Sequence, residues 1–272
     1  MTKKISVIMG VYNCEATLPA AIDSILAQTY HNWEFVICDD CSTDGTAAVL
    51  EAYKARHPDR FVLLRNETNQ RLAASLNRCL KAATGELIAR MDGDDISLPD
   101  RFEKQVRYLE NHPEADLIGT AMRRFSDEGL ADIVCAPPAP DRFSMRRGTP
   151  FCHATILTYR RVYEALGGYT VLPRTQRGQD VDLFFRFFHA GFAGANLSEA
   201  LYLYREDAFA IGRRTFRTRW QGYFTTRIGY RLLGYPKRWL AEEWLRTLIK
   251  SLSPFWAQRK YRSWQKKRFL KQ

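Results

Sequence analysis

The N-terminal third of the chain alternates short apolar runs with segments of helical periodicity. Four apolar runs, most of them rich in branched side chains, predict buried strands at residues 5–9, 33–38, 61–64 and 86–91. Between the first two runs, apolar residues recur at i, i+3, i+4, i+7 and i+8 from Leu18 to Leu26, which predicts an amphipathic helix. Thr17 is positioned to cap this helix, and Pro19 lies in its first turn.

Helices are also predicted farther along the chain. One passes through residues 49–53, and another runs from 72 to 84 and ends at Gly85. A third opens at Ser97-x-x-Asp100, which has the spacing of an N-terminal capping motif. Strands that alternate with helices predict βαβ units, an α/β fold and a parallel sheet. Ligands of such sheets bind beyond the carboxyl ends of the strands.

Composition and charge separate the C-terminal quarter from the rest of the chain. The 272 residues are 46% hydrophobic and 13% aromatic, enough for a large core, and the net charge is +11. Residues 205–272 hold eighteen Lys and Arg against four acids, so this quarter carries +14 and the remainder −3. A basic segment implies an anionic partner, such as a membrane surface, a nucleic acid or an acidic polymer.

The sequence suggests neither a membrane span nor a disulfide framework. The apolar run that starts at Ile5 is much shorter than the roughly 20 residues that a span needs, and it lacks the features of a signal peptide. We therefore expect a cytoplasmic protein with six reduced cysteines. Cys38 and Cys41 form a C-x-x-C pair without a second pair, which favours packing thiols over a zinc or redox site.

The sharpest chemical feature is an acidic turn, Asp92-Gly93-Asp94-Asp95, directly after the fourth predicted strand. Three carboxylates in four residues repel one another, and a hard cation relieves that repulsion. Carboxylate oxygens suit Mg²⁺ or Mn²⁺, which commonly share their shell with substrate phosphates. The alternative is that Asp94 and Asp95 cap the following helix.

A second acidic pair, Asp39-Asp40, follows the second predicted strand. In a parallel sheet it lies at the same edge as the first acidic turn, although it could equally be a helix-capping turn. Tyr12 at this edge could stack on a base, and an aspartate could accept from a base N–H or a ribose hydroxyl. Arg71 could meet a phosphate. Together these residues predict a nucleotide pocket.

Several segments in order resemble the family-2 glycosyltransferases of GT-A fold. They are Val7-Ile8-Met9-Gly10-Val11-Tyr12-Asn13, Asp39-Asp40-Cys41-Ser42-Thr43-Asp44-Gly45-Thr46, Asn69-Gln70-Arg71, Arg90-Met91-Asp92-Gly93-Asp94-Asp95, His153, Gly167-Gly168-Tyr169 and Asp180-Val181-Asp182. The resemblance covers roughly residues 5–205. It implies a Rossmann-like, mostly parallel sheet with helices on both faces.

The resemblance also implies a donor, a metal and a base. It assigns nucleotide-sugar binding to Val11, Tyr12, Asp39, Asp40, Arg71, Asp92, Gly93, Asp94 and His153. Asp92 and Asp94 match the D-x-D element that holds Mn²⁺ or Mg²⁺, with Asp94 as the direct ligand. Asp180 matches the general base of inverting members, and Asp182 is expected to be a helix-start acid.

Three positions depart from the family pattern. Gln179 precedes Asp180 where Glu is common, which removes one negative charge beside the base. Cys41 and Arg71 stand where glycine is usual. These departures bear on acceptor and donor contacts and leave the proposed base in place.

The C-terminal quarter interleaves apolar residues with basic ones. The apolar residues are Trp239, Trp244, Leu245, Leu248, Ile249, Leu252, Phe255, Trp256, Tyr261, Trp264 and Phe269. Pro254 divides the stretch into two candidate helices. Cationic helices with Trp and Phe opposite their charges are typical of a membrane interface. The alternatives are packing on the catalytic domain, nucleic-acid binding or oligomer contact.

We therefore expect a catalytic domain at residues 1–205 and a basic helical region at 206–272. The expected activity is metal-dependent, inverting transfer from a nucleotide-sugar, a UDP-sugar, to a hydroxyl of a glycan or lipid-linked acceptor in surface polysaccharide or lipopolysaccharide synthesis. We expect a peripheral location on the inner face of the membrane and no nucleic-acid partner. The alternatives are a nucleotidyltransferase, although residues 9–16 lack its basic glycine-rich loop, and a non-catalytic protein that binds nucleic acid or an anionic surface.

Overall fold

The computed structural model describes residues 2–146, 148–206 and 215–252. The strands of these segments are β1 (Ile5–Val11), β2 (Trp33–Asp39), β3 (Phe61–Arg65), β4 (Leu87–Arg90), β5 (Ile96–Ser97), β6 (Leu117–Ser126), β7 (Gly129–Val134), β8 (Leu157–Tyr159) and β9 (Gly194–Arg205). The helices are α1 (Leu18–Leu26), α2 (Thr46–Arg56), α3 (Leu72–Ala82), α4 (Arg101–Asn111), α5 (Arg160–Leu166), α6 (Gln179–His189), α7 (Phe216–Leu232) and α8 (Lys237–Leu252).

One sheet joins all nine strands in the order β3-β2-β1-β4-β8-β6-β9-β5, with β7 paired to β6. The four N-terminal strands pair in parallel, as the alternation of strands and helices predicts. Beyond β4 the sheet is mixed, because β8 runs antiparallel to both β4 and β6 whereas β6 and β9 run in parallel. The parallel half therefore brings the carboxyl ends of β1, β2 and β4 to one edge.

Helices cover both faces of the sheet. On one face α1, α2 and α4 bury apolar side chains such as Ile22, Leu50 and Phe102. On the other face α3, α5 and α6 bury Leu76, Tyr163 and Leu183. Both layers are fully packed, so the strand ends are the part of the sheet left available for polar chemistry.

Three predicted helix ends are wrong in detail. The hydroxyl of Thr17 does not cap α1. Helix α3 ends at Ala82 without a glycine cap, and Gly85 instead donates its N–H to the Ser6 hydroxyl at 2.7 Å. Ser97 lies in β5 and accepts from the Gln28 amide at 3.1 Å, and it is the Gln28 side-chain oxygen that accepts from the Phe102 amide in the first turn of α4 at 3.2 Å. In each case a tertiary contact outweighs the local preference of the residue.

The C-terminal helices lie against the sheet domain through part of their surface. Gly229 of α7 lies so close to the Phe185 ring of α6 that a Cβ atom would overlap it. Trp239 and Leu240 at the start of α8 join the same apolar cluster. Farther along, α8 exposes Trp244, Leu245, Ile249 and Leu252, while Pro254 and the second predicted helix lie outside the described residues.

Within the described residues, no helix is both long enough and apolar enough to cross a bilayer.

A buried carboxylate ties the amino ends of β1 and β2 to the connection before β4. Glu34 accepts from the Lys4 ammonium at 2.7 Å, the Ser6 hydroxyl at 2.6 Å and the Thr84 amide at 2.6 Å. Its side chain is 8% exposed. Burial alone would raise the pKa of Glu34, but these hydrogen bonds outweigh burial and lower it to about 2.

Replacing Glu34 with Gln is expected to destabilise the protein by about 2–3 kcal/mol at neutral pH. Because the folded-state pKa is lowered, this contribution is present above the ordinary value of 4.5 and is lost as the pH falls towards 2. Denaturant unfolding of the wild type and the variant across this range measures it.

Glu51→Gln, on the exposed side of α2, is the matched control and should leave stability nearly unchanged. An equal loss of stability on acidification in the wild type and in Glu34→Gln would contradict the assignment.

Candidate active site

The two acidic turns meet at the carboxyl end of β1. Val11, the last residue of β1, pairs with Asp39 at the end of β2, and its carbonyl accepts from the Asp40 amide at 2.8 Å. On the other side Gly93 lies against Val11, where a Cβ atom would approach the Val11 Cγ1 to 2.9 Å. The position therefore requires glycine, and the turns lie side by side as the predicted sheet order implies.

The loop after β1 links the two turns. The Thr17 hydroxyl donates to the Gly93 carbonyl at 3.0 Å, and the Cys14 amide donates to the Thr46 hydroxyl at 2.8 Å. Burial, together with the nearby charges of Asp94 and Asp92, raises the pKa of the Cys14 thiol to about 11. Cys14 therefore lies beside the acidic turn as an uncharged thiol.

Asp92, Asp94 and Asp95 each offer a carboxylate oxygen within 4.8 Å of the others. Asp95 is fully buried, and its Oδ2 accepts no hydrogen bond, whereas its Oδ1 accepts from the Arg205 amide at 2.8 Å. Burial and the charges of Asp92 and Asp94 raise the pKa of Asp95 to about 8. A clustered all-carboxylate donor set with an unsatisfied buried oxygen fits a hard divalent cation such as Mg²⁺ or Mn²⁺.

The acidic turn does not cap the next helix. Helix α4 begins at Arg101, after the short strand β5, and its N-cap residue is Asp100. The helix-capping alternative for Asp94 and Asp95 is therefore wrong.

A buried arginine, Arg90, lies beneath the acidic turn and was not identified from the sequence. Its side chain is 3% exposed and forms an ion pair with Asp92. Although burial opposes it, the Asp92 carboxylate raises the pKa of Arg90, which stays charged. Arg101 is also fully buried and donates to the Arg90 carbonyl at 3.0 Å. The available signal was a single Arg within an otherwise apolar predicted strand.

The end of strand β9 completes the support of the acidic turn. The Asp92 amide donates to the Tyr202 hydroxyl at 3.2 Å. The Arg205 guanidinium donates to the Asp94 carbonyl at 3.3 Å and also contacts Asp127 at 3.0 Å. Tyr202 and Arg205 lie more than a hundred positions from the turn in the sequence, and no local pattern identified them.

The two carboxylates of the second acidic pair, Asp39 and Asp40, have different hydrogen-bond partners. Both Asp40 carboxylate oxygens hold the loop before α3, accepting from the Gln70 and Arg71 amides at 2.8 Å each. Asp39 accepts from the Ser42 amide at 2.9 Å through Oδ1, while its buried Oδ2 accepts no hydrogen bond. That oxygen lies 3.5 Å from the Arg65 Nε as an ion pair without a hydrogen bond, whereas both oxygens of Asp40 are hydrogen-bonded. The nearby Tyr12 side chain is 46% exposed.

The two residues that replace the family's glycines have left-handed backbone conformations. Arg71 has φ 73° and ψ 164°, in a region that glycine adopts almost alone, and Cys41 has φ 64°. Asn13, in the loop after β1, is the third non-glycine residue at positive φ in the described part of the chain. All three lie in loops at the carboxyl edge of the parallel strands.

Asp180 and Asp182 share the first turn of α6 but have opposite environments. Burial and the Asp92 charge raise the pKa of Asp180, while backbone N–H groups and Arg90 oppose them. Asp182 is buried and accepts from Arg174 at 2.7 Å and Arg186 at 2.8 Å. Burial opposes these bonds, but with Thr170 they lower the pKa of Asp182. Asp182 is thus committed to holding the helix start, whereas Asp180 lies within the electrostatic reach of Arg90 and Asp92.

His153 belongs to a chain of hydrogen-bonded side chains next to Arg90. Its Nε2 lies 2.8 Å from the Tyr169 hydroxyl, which lies 2.8 Å from the Tyr163 hydroxyl. Burial and the Arg90 charge lower the pKa of His153 well below its ordinary value, so the imidazole is neutral. The structure gives His153 a structural partner, and its predicted donor contact stays a prediction.

The sequence model of glycosyl transferase family 2 matches residues 6–165. The chain belongs to this family. EpsE of Bacillus subtilis, named as a glycosyltransferase, is 52% identical over 213 residues, which cover 78% of this chain and 77% of EpsE. WfgD of Escherichia coli, a UDP-Glc:α-D-GlcNAc-diphosphoundecaprenol β-1,3-glucosyltransferase, is 44% identical over 106 residues, or 39% of this chain and 40% of WfgD.

The solved structures confirm the fold. TarS of S. aureus in complex with UDP-GlcNAc superposes with a TM-score of 0.70 at 21% identity, over 91% of this chain and 73% of the TarS chain. The predicted GT-A fold is therefore confirmed. Because the chain belongs to this family, a glycosyltransferase is favoured over a nucleotidyltransferase and over a non-catalytic nucleic-acid-binding protein.

Replacing Arg71 with Gly is expected to stabilise the protein, because glycine adopts this backbone conformation without strain. The strain relieved is of order 1–3 kcal/mol, and the added freedom of the unfolded chain offsets roughly 1 kcal/mol of it. We expect a net gain of about 1 kcal/mol, or about 2–4 °C in Tm, by calorimetry.

Arg107→Gly, in the middle of α4, is the matched control and should lose about 1 kcal/mol. A Tm for Arg71→Gly below that of the wild type would contradict the strain at this position.

Proposed function

We propose that the protein is a metal-dependent, inverting glycosyltransferase that moves a sugar from a UDP-sugar to a hydroxyl of a glycan or lipid-linked acceptor. One observation carries the proposal. The carboxylates of Asp92, Asp94 and Asp95 cluster within 4.8 Å beside the turn that bears Asp39, and the Asp180 carboxyl is electrostatically coupled to Asp92. This arrangement supports neighbouring sites for the donor, the cation and the base.

The nucleoside would bind at the Asp39 turn. The Oδ2 of Asp39, which is ion-paired with Arg65 but accepts no hydrogen bond, can accept from a base N–H or a ribose hydroxyl, and the exposed Tyr12 ring can stack on the base. Arg71, kept in a strained conformation at the same edge, would contact the diphosphate. The donors named for TarS and WfgD, UDP-GlcNAc and UDP-Glc, support a UDP-sugar.

The cation would be held by Asp94 as the direct ligand, with Asp92 beside it. Asp94 matches the direct ligand of the D-x-D element, Arg90 forms an ion pair with Asp92, and Gly93 lets the turn lie flat against Val11. A bound Mg²⁺ or Mn²⁺ would stabilise the charge that develops on the leaving diphosphate. His153 remains a candidate contact on the same side of the site.

Asp180 would act as the general base. The acceptor oxygen attacks the anomeric carbon from the face opposite the diphosphate, the bond to the diphosphate oxygen breaks, and the hydroxyl proton passes to the Asp180 carboxylate. A single displacement of this kind inverts the anomeric configuration. The raised pKa of Asp180 makes it a stronger base than an exposed aspartate.

The acceptor would belong to surface polysaccharide or lipopolysaccharide synthesis. WfgD is named for transfer to a lipid-linked diphosphate sugar. The +14 charge of residues 205–272 supports a peripheral position on the anionic inner face of the membrane. On this proposal residues 1–205 form the catalytic domain and residues 206–272 the membrane-facing region.

Replacing Asp180 with Asn should lower transfer by about 100- to 10,000-fold while leaving UDP binding intact. In the wild type, kcat/KM should fall on acidification at a pH above that of an ordinary aspartate, because the base must be ionised and its pKa is raised. Steady-state kinetics and UDP-dependent thermal stabilisation provide the two readouts.

Asp59→Asn is the control, since Asp59 is exposed and precedes β3 at the opposite edge of the sheet. Near-normal turnover in Asp180→Asn would contradict the assignment of Asp180 as the base. Retention of the anomeric configuration in the product would contradict a single displacement.

A further inference from the structure

The outer face of α7 carries a row of four apolar side chains, of which Trp220 is half-buried and the other three are exposed. Phe216, Trp220, Phe224 and Ile228 follow one another at four-residue spacing, which puts them on one side of the helix. Phe216, Phe224 and Ile228 are 61%, 45% and 44% exposed. The rings of Phe216 and Trp220 lie 6.1 Å apart, and those of Trp220 and Phe224 6.4 Å apart. We call these four residues the α7 stripe.

Basic side chains flank the stripe, and no acid occurs in the helix. At 100° per residue, Arg217, Arg227 and Arg231 fall within the same exposed arc as the stripe. The other side of α7 contacts α6 through Gly229 and Tyr230, and it contacts the preceding turn through Thr225. The helix therefore presents an apolar and cationic face outward while its other face holds it to the catalytic domain.

Charge decides between the possible occupants of this face. A second copy of the chain would bring one arginine-rich face against another. The chain beyond residue 252 has seven Lys and Arg residues and no acid, so it too would be repelled. An anionic lipid surface accepts both parts of the face, because its headgroups attract arginine and its acyl region receives the apolar stripe.

The stripe is mechanically connected to the start of α6. The Thr225 hydroxyl of α7 donates to the Arg174 carbonyl at 2.9 Å, and the Arg174 guanidinium donates to Asp182 at 2.7 Å. Phe185 of α6 packs directly on Gly229 and lies 6.0 Å from the Tyr230 ring. A surface that binds α7 therefore fixes the orientation of the helix that carries Asp180.

We infer that the α7 stripe docks on an anionic lipid surface and thereby fixes the orientation of α6 relative to that surface. The inference rests on the proposed function, because a lipid-linked acceptor would be presented to the enzyme at a membrane. The segment before the turn Pro173–Thr175 adds two exposed apolar residues, Val171 and Leu172, which are 52% and 49% exposed on the approach to α6.

Co-sedimentation of the full chain with vesicles tests the inference. We expect binding to vesicles of phosphatidylcholine and phosphatidylglycerol in equal amounts, and weak binding to phosphatidylcholine alone. Phe224→Ser combined with Ile228→Ser should lower the partition coefficient by about tenfold or more, since both side chains lose their burial in lipid. Arg227→Gln combined with Arg231→Gln should lower it by about thirtyfold, from about 1 kcal/mol for each charge.

Matched pairs elsewhere on the surface are the controls. Leu130→Ser with Ile133→Ser removes two apolar side chains of similar exposure from β7, and Arg56→Gln with Arg107→Gln removes two exposed charges from α2 and α4. The apolar control should leave vesicle binding unchanged, and the charge control should change it less than the α7 pair does. UDP-dependent thermal stabilisation should be equal in all four variants.

Three outcomes would overturn the inference: unchanged vesicle binding in the α7 apolar variant, equal binding to both kinds of vesicle, or a dimer in solution that the α7 apolar variant dissociates. The proposed function fails separately. If UDP does not raise the Tm of the wild type, the proposed donor site is refuted, whereas the result of the vesicle experiment is unaffected.

Discussion

The active-site account depends on the confinement of like charges at one edge of a sheet. Three carboxylates lie within 4.8 Å, and at a separation of 4 Å a pair of unit charges repels by roughly 4 kcal/mol near a protein surface. The protein offsets part of this cost with the buried guanidinium of Arg90 and the amide of Arg205. Burial and the remaining repulsion from Asp92 and Asp94 raise the pKa of the Asp95 carboxyl to about 8. A bound divalent cation would complete the charge balance.

The rest of the architecture maintains that arrangement. The central strand β1 sets the distance between the two acidic turns, and Gly93 allows the closest approach. Both carboxylate oxygens of Asp40 accept hydrogen bonds from the loop that leads to α3, and these bonds hold Arg71 in its strained conformation beside the site. Asp182 fixes the start of α6 through Arg174 and Arg186, while burial raises the pKa of Asp180 against the opposing charge of Arg90.

Local pattern predicts the parts of this molecule that local physics determines. The four parallel strands follow from apolar runs, and the common edge of the acidic turns follows from their order. Tyr202 and Arg205 could not be found in this way, because they belong to a strand that meets the turn from about 110 residues away. Arg90 gave only the weak signal of a lone arginine in a predicted strand. Local pattern also missed the contacts of Asp40 and Thr17. The Asp40 carboxylate accepts from the Gln70 and Arg71 amides, and the Thr17 hydroxyl donates to the Gly93 carbonyl. The expected division between Asp180 and Asp182 came from the family resemblance, and the two arginines that pair with Asp182 give its physical reason.

Calorimetric titration of UDP in Mn²⁺ and in excess chelator tests most directly whether the two acidic turns jointly hold a cation and a diphosphate. We predict that UDP binds at least about tenfold more tightly with Mn²⁺, and that UDP tightens Mn²⁺ binding by the same factor, as linkage requires. The Asp94→Asn variant should lose this mutual enhancement. Equal UDP affinity in Mn²⁺ and in chelator, or full enhancement in Asp94→Asn, would contradict the account.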